Sequence, residues 1–149
     1  MTVTAFELSH SNPYKSTAFL LKSNDAYLLY LGDTGADTTE HAGNLLQLWQ
    51  QVAPLIKEKK LKAIFIEVSF DNSQPDKLLF GHLTPKLLMQ EMMVLGKLTG
   101  MDQLHHFPVV ITHEKPGGNR EASIHKQLSA SNKPGLRFIF PKQGRLLSF

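Results

Sequence analysis

Apolar residues follow two kinds of pattern along the chain: short runs typical of strands and longer stretches with helical spacing. Residues 3–8 alternate between apolar and polar and predict a short strand ending just before His10. The apolar runs 17–21 and 27–31 flank a polar turn at 23–25, which predicts a β-hairpin. The chain therefore opens with three predicted strands.

Helical patterns and strand patterns alternate in the rest of the chain. Helices are predicted at about 42–60 with a kink at Pro54, from the cap Thr84-Pro85 to about Gly100, and at about 119–130. Strands are predicted at 63–66, 109–111 and 137–140, with a last short one near 146–147. The run 63–66 is apolar throughout, which is typical of a strand covered on both faces. The alternation predicts an α/β fold with partly parallel pairing, in a single domain over residues 1–149.

Ionisable residues stand where four of the predicted strands end. His10 follows the first strand, Asp33 follows the third within Gly32-Asp33-Thr34-Gly35, Glu67 follows 63–66, and His113 follows 109–111. Ligands of α/β sheets bind at such strand ends because a rigid base holds the functional groups. The pattern predicts that His10, Asp33 and His113 converge on a metal site.

Each of these residues also has an ordinary structural explanation. His10 is compatible with a surface histidine, and Asp33 with a turn residue that bonds its own backbone. Glu67 is compatible with a paired structural carboxylate, and His113 with a polar loop. Their joint position at four strand ends favours the functional site.

The composition limits the kinds of metal site and partner that the chain can have. The chain has no cysteine, which excludes disulfides and thiolate metal sites, so any metal must be held by histidines and carboxylates. The net charge of +3 is small, and the lysines between 57 and 62 are typical of a solvated helix end, so nucleic acid is not the expected partner. No signal peptide and no apolar run near the roughly 20 residues of a membrane span are present. A cytoplasmic protein without a membrane partner is expected.

A series of short motifs resembles a known family. In chain order they are Leu8-Ser9-His10, Ser16-Thr17-Ala18-Phe19-Leu20, Gly32-Asp33-Thr34-Gly35-Ala36-Asp37, Ile66-Glu67-Val68-Ser69-Phe70, Gly81-His82-Leu83-Thr84-Pro85 and Ile111-Thr112-His113-Glu114-Lys115-Pro116. The series resembles the C-terminal half of class II 3′,5′-cyclic nucleotide phosphodiesterases, which have the metallo-β-lactamase fold. The tRNA 3′-processing endonucleases share several of these features and are the nearest alternative, but residues 72–77 look more like the phosphodiesterases.

The resemblance implies a fold, a substrate and roles for particular residues. It implies half of an αββα sandwich, with one mixed sheet and outer helices, acting on cyclic nucleotides such as cAMP. His10 and His113 would each bind one of two divalent metals, expected to be zinc, and Asp33 would bridge them. His82 would protonate the departing ribose oxygen, and Glu67 would orient a histidine. The implied catalytic residues are thus His82, Glu67 and Asp33.

One element of the family is absent from these residues. No His-x-His-x-Asp-His sequence occurs in the chain, although the family carries it in the first half of its fold. We therefore expect the chain alone to bind metal weakly and not to hydrolyse cAMP. We also expect a bare inner sheet face that pairs with an N-terminal half or with a second copy. A non-catalytic interaction remnant is a further alternative.

Overall fold

Six strands form one mixed sheet in the computed structural model, which describes residues 1–149. The strands are β1 (Thr2–Ser9), β2 (Lys15–Ser23), β3 (Ala26–Leu31), β4 (Leu61–Glu67), β5 (Pro108–Thr112) and β6 (Arg137–Ile139). Each strand pairs with the next one along the chain. β1, β2 and β3 are antiparallel neighbours, whereas β3 to β6 run parallel to one another.

Four helices connect or follow these strands. They are α1 (Asp37–Glu40), α2 (Asn44–Lys57), α3 (Pro85–Thr99) and α4 (Arg120–Ser131), and short 3₁₀ turns occur at Asp76–Leu78 and Met101–Leu104. The Thr84 hydroxyl accepts a hydrogen bond from the Leu87 amide at 3.4 Å, which confirms the predicted cap of α3. No helix is both long enough and apolar enough to span a membrane.

The predicted elements are confirmed except at two places. The helix predicted at 42–60 is shorter, because α2 begins at Asn44 and ends at Lys57. The strand predicted near 146–147 was wrong: no strand forms there, and Leu146 is 94% exposed. An apolar pair alone does not make a strand when no sheet edge lies beside it to supply backbone partners.

The helices cover one face of the sheet. α2 buries Leu45, Leu48, Trp49, Val52, Ala53 and Ile56, which recur at helical spacing. These side chains belong to one core together with Ile64 and Ile66 of β4 and the buried face of α3. Burying each large aliphatic side chain contributes about 1.5–3 kcal/mol, so this face supplies most of the stability.

The opposite face of the sheet is largely open. Phe19 and Tyr30 are 40% and 45% exposed, and Phe65 of β4 is only half-buried beside the ring of Phe149. The expectation that 63–66 is covered on both faces was therefore wrong for Phe65, because all the helices pack on the side of Ile64. A groove of about 320 Å³ on the open face is lined only by apolar residues: Val3, Phe19, Leu21, Leu28, Tyr30 and Phe65.

Strand direction brings the predicted site residues to one edge. Because β2 runs antiparallel to both of its neighbours, β1 points the same way as β3, β4 and β5. The carboxyl ends of these four strands therefore meet at the same edge of the sheet, and the candidate residues lie on that edge.

Candidate active site

Hydrogen bonds from neighbouring strands fix the loop that carries Asp33. The Gly35 amide donates to the Ser9 carbonyl at 3.1 Å, and the Ser16 hydroxyl donates to the Asp33 carbonyl. The buried hydroxyl of Thr34 donates to the Gly35 carbonyl at 3.2 Å. The loop backbone is therefore held at β1 and β2, which leaves the Asp33 side chain free to face the site.

Asp33 pairs with His113. Asp33 Oδ1 lies 2.7 Å from His113 Nδ1, and both side chains are about 40% exposed. The carboxylate thus faces a histidine that directly follows β5 rather than bonding its own backbone as a turn residue would. His113 has a positive φ of 56°, a backbone state that is uncommon for residues other than glycine. The Ser69 hydroxyl oxygen lies 3.1 Å from the His113 carbonyl and packs against this turn of the backbone.

Glu67 is a buried carboxylate that joins three segments. One oxygen accepts from the Thr34 amide at 3.0 Å, and the other accepts from the Leu83 amide at 3.3 Å. The second oxygen also accepts from the Ser69 amide at 3.1 Å and from its hydroxyl at 2.6 Å. Only 1% of the Glu67 side chain is exposed, so these bonds replace the water that burial removes.

His82 lies between Glu67 and a lysine. His82 Nδ1 is 2.6 Å from Glu67 Oε1, and its Nε2 is 2.9 Å from Lys115 Nζ. Because an ammonium can only donate, Nε2 is the accepting nitrogen and the ring proton sits on Nδ1. Glu67 therefore fixes both the tautomer and the orientation of a buried imidazole.

His10 approaches His82 from the other side. Its Nδ1 lies 2.9 Å from the Gly81 carbonyl, which can only accept, so Nε2 keeps its lone pair. The rings of His10 and His82 are 4.9 Å apart between centroids. Gly81 permits this approach, because it has φ +75° and a Cβ there would overlap the backbone of His10 and Ser11.

The structure brings four of the five candidate site residues together and leaves His10 outside the group. The ring of His82 is 5.2 Å from that of His113, and donor atoms of Asp33, Glu67, His82 and His113 lie within 4.8 Å of one another. His10 lies outside that group of four, on the far side of His82. The roles of these residues remain predictions.

The available donors suit part of a metal centre. Hydrogen bonds already occupy the oxygens of Glu67 and both ring nitrogens of His82. Asp33 Oδ1 and His113 Nδ1 contact each other, so Asp33 Oδ2, His113 Nε2 and His10 Nε2 remain to contact an ion. Imidazole and carboxylate donors suit zinc and similar cations. Zinc normally takes about four ligands, so these donors fit a metal site that needs further ligands.

Two residues of the site were missed by the sequence analysis. Ser69 is fully buried, and its hydroxyl lies 3.2 Å from His82 Nδ1 and 3.4 Å from His113 Nδ1. Lys115 contacts His82 as described above. Both lie within the family-like motifs 66–70 and 111–116, which is the only signal in the sequence that could have found them.

The residue between His113 and Lys115 points elsewhere. Glu114 Oε1 lies 2.9 Å from His125 Nε2, close enough for an ion pair although neither atom makes a well-oriented hydrogen bond. Burial raises the pKa of the Glu114 carboxyl, and the charge of His125 partly offsets this. Glu114 therefore ties the His113 loop to α4 and does not face the site.

Comparisons with known proteins identify the family of the chain. The model of a family described as class II cAMP phosphodiesterases matches residues 1–144. A 3′,5′-cyclic-nucleotide phosphodiesterase of Aliivibrio fischeri is 43% identical over 154 aligned positions, which cover 100% of this chain and 46% of the relative. The chain therefore spans less than half the length of this relative.

Two solved structures are similar to the fold of this chain. Unliganded yeast PDE1 is similar with a TM-score of 0.83 and 25% identity, covering 95% of this chain and 44% of the yeast chain. The metallo-β-lactamase fold protein YhfI of Bacillus subtilis is similar with a TM-score of 0.57 and 15% identity, covering 93% of this chain and 47% of its own. The expected fold, one mixed sheet with outer helices from a metallo-β-lactamase-like protein, is confirmed.

Proposed function

We propose, because the chain belongs to the class II cAMP phosphodiesterase family, that it forms one half of a metal-dependent enzyme hydrolysing 3′,5′-cyclic nucleotides such as cAMP. The observation that carries the proposal is the pairing of a buried Glu67 with His82, beside open donors of Asp33, His113 and His10. The match to this family over most of the chain is the reason why RNA processing is not proposed.

Three residues are proposed to hold divalent metal, with zinc as the expected ion and two ions as the expected number. His10 would hold one ion, His113 would hold the other, and Asp33 would bridge them. The 2.7 Å contact of Asp33 Oδ1 with His113 Nδ1 supports this, since it sets the two side chains next to each other and leaves Asp33 Oδ2 and His113 Nε2 to contact ions. Bound ions would stabilise charge on the phosphate oxygens and make the attacking water a better nucleophile.

His82 is proposed to serve as general acid. As water attacks phosphorus and the bond to the ribose 3′-oxygen breaks, a proton would pass from His82 Nε2 to that oxygen. Glu67 supports this role, because it holds one proton on Nδ1 and leaves Nε2 as the nitrogen that would take up a second proton from water and pass it to the leaving oxygen. Ser69 positions the pair by donating to Glu67 and contacting His82.

A second half of the fold is proposed to complete the site. The three open donors fall short of the ligands that two ions require. The open sheet face and the 46% coverage of the Aliivibrio fischeri relative also support a missing half. We propose that the partner is an N-terminal half carrying His-x-His-x-Asp-His, with a second copy of this chain as the other candidate.

Complementation tests the proposal. The chain would be co-expressed with the N-terminal half of the Aliivibrio fischeri relative, purified with zinc, and assayed for conversion of cAMP to a 5′-monophosphate. We expect turnover by the pair, little by either half, and loss of at least about a hundredfold in Asp33→Asn or His82→Asn. A stable pair that turns over cAMP no faster than its Asp33→Asn form would disprove the proposed activity.

A further inference from the structure

Two positively charged side chains pack against one aromatic ring beside His82. Lys115 Nζ lies 4.9 Å from the centroid of the Phe70 ring, and the Arg120 guanidinium carbon lies 5.3 Å from it. Phe70 is 7% exposed and its ring also contacts His82 at 5.9 Å between centroids. Phe70 is therefore a platform that holds two positive charges near the general acid proposed above.

Neither cation has a carboxylate partner. The ion pairs of the structure, which require a nitrogen and an oxygen within 4.0 Å, include neither Lys115 nor Arg120. The carboxylate adjacent to Lys115 in sequence, Glu114, faces His125. Glu67 lies behind His82 and is already bonded to it. Asp71 is near enough for its charge to interact with that of Arg120, although the two form no ion pair. Lys115 is therefore the cation at this side of the site that no carboxylate of the chain pairs with.

Their surroundings favour an anion further. Arg120 is the first residue of α4, whose N-terminal end has no side-chain cap. The positive end of the helix dipole adds to the charge of Arg120, and Glu121 in the first turn offsets part of the combined positive charge. Both side chains are half-buried, so an anion bound to either of them would be partly shielded from water.

We propose that Lys115, with Arg120 beside it, binds the phosphate group of the substrate. This inference rests on the proposed function for its substrate class, a nucleoside phosphate. When the phosphate arrives, the Lys115 ammonium leaves His82 Nε2 and donates to a non-bridging oxygen. The planar fork of Arg120 can donate two parallel hydrogen bonds to a phosphate, which a lysine cannot.

The same movement links binding to proton transfer. While Lys115 donates to His82, Nε2 cannot face a leaving oxygen. Transfer of Lys115 to the phosphate frees Nε2 to take up a proton from water, which it can then pass to the leaving oxygen. Lys115 is thus a specificity-determining residue that touches the substrate, and Phe70 positions it.

Binding of adenosine 5′-monophosphate to the metal-free chain tests the inference without any need for turnover. The chain would be held in chelator and titrated with this nucleotide or with uncharged adenosine, while side-chain NMR signals of lysine and histidine are followed. Lys115→Met removes the charge and keeps the length, Lys115→Arg keeps the charge, and Lys57→Met is a control at an exposed lysine at the end of α2. Arg120→Met tests the second cation.

We expect Lys115→Met to weaken nucleotide affinity by about tenfold or more and to leave adenosine unchanged. Lys115→Arg should stay within about threefold of the unsubstituted chain, Arg120→Met should fall between, and Lys57→Met should have no effect. Equal nucleotide affinity in Lys115→Met, or an equal loss for adenosine, would overturn the inference. Nucleotide binding that depends on Lys115, found together with no turnover by the complemented enzyme, would uphold the phosphate site and reject only the proposed activity.

Discussion

At the residue scale, Glu67 shows how one buried charge arranges a site. Its two oxygens accept from backbone amides of the Asp33 loop and of the segment before α3, and from His82. A neutral amide at this position would point an NH₂ group at some of these donors. The cost of an unsatisfied buried donor is about 1–3 kcal/mol, which makes the consequence measurable.

Glu67→Gln is expected to lower the free energy of unfolding by roughly 3 kcal/mol, because at least one oxygen's donors lose their acceptor. Urea denaturation followed by circular dichroism would measure the loss. Glu58→Gln is the matched control, since Glu58 pairs with Lys60 on the surface and its loss should cost less than about 1 kcal/mol. Equal stability of Glu67→Gln and the unsubstituted chain would contradict the role given to Glu67.

Glu91 predicts a dependence of stability on pH. Its side chain is 4% exposed, and it accepts from Trp49 Nε1 at 3.0 Å and from the Asp37 amide at 3.2 Å. Burial raises the pKa of the Glu91 carboxyl above its ordinary value of 4.5, although the Trp49 bond opposes this. The native state therefore holds the proton more tightly, and the stability that this provides is present below pH 4.5 and is lost as pH rises through the raised pKa.

Glu91→Gln should remove the loss of stability with rising pH, because glutamine has no proton to release. Unfolding free energies from urea titrations at several pH values between about 4.5 and 8 would show a flatter profile in the variant. Asp25→Asn, at an exposed turn, should leave the slope of the parent unchanged. A Glu91→Gln profile parallel to that of the parent would show that Glu91 does not titrate with folding.

Residue types at strand ends could be predicted from the sequence, but their contacts could not. His10, Asp33, Glu67 and His113 stand out because each follows an apolar run. Ser69 and Lys115 carry no such signal, since a serine or lysine in a loop is ordinary. Their importance arises only when β4 and β5 come together and set both against His82.

At the element scale, periodic segments were predicted well and irregular ones were not. The buried face of α2 repeats over fourteen residues, so it is evident in the sequence. The 3₁₀ turn at Asp76–Leu78 has no period to detect. The open side of β4 was not predicted either, because an apolar run does not show which of its two faces a helix will cover.

Gly81 follows the 3₁₀ turn at Asp76–Leu78 and lies against His10, so its replacement should disturb the structure around His10. Gly81→Ala would set a Cβ against the backbone of His10 and Ser11, so we expect a loss of about 3 kcal/mol and altered NMR signals of His10. Gly144→Ala is the matched control, since Gly144 has a similar φ of +77° but open space around it. Its expected cost is only the left-handed strain of about 1–2 kcal/mol. Equal losses in the two variants would mean that close packing at Gly81 is unimportant.

At the scale of the whole molecule, the uncovered sheet face should determine whether the chain associates in solution. Phe19 and Tyr30 stand side by side across β2 and β3, and both are at least 40% exposed within an entirely apolar groove. Exposed apolar patches of several hundred Å² drive association, because covering them releases water. We therefore expect this face to be covered by a partner, and we expect the chain alone to self-associate through it.

We expect the isolated chain to self-associate with increasing concentration in light scattering and to bind a dye specific for exposed apolar surface. Phe19→Glu combined with Tyr30→Glu should reduce both signals, because charges on this face oppose its burial. Leu46→Glu is the matched control, since Leu46 is also 40% exposed but lies on α2, outside the groove. Adding an N-terminal half that completes the fold should suppress dye binding in the unsubstituted chain and fail to do so in the double variant. A monodisperse monomer without dye binding would show that the face is stable in water, and the case for a second half would then rest on the metal ligands alone.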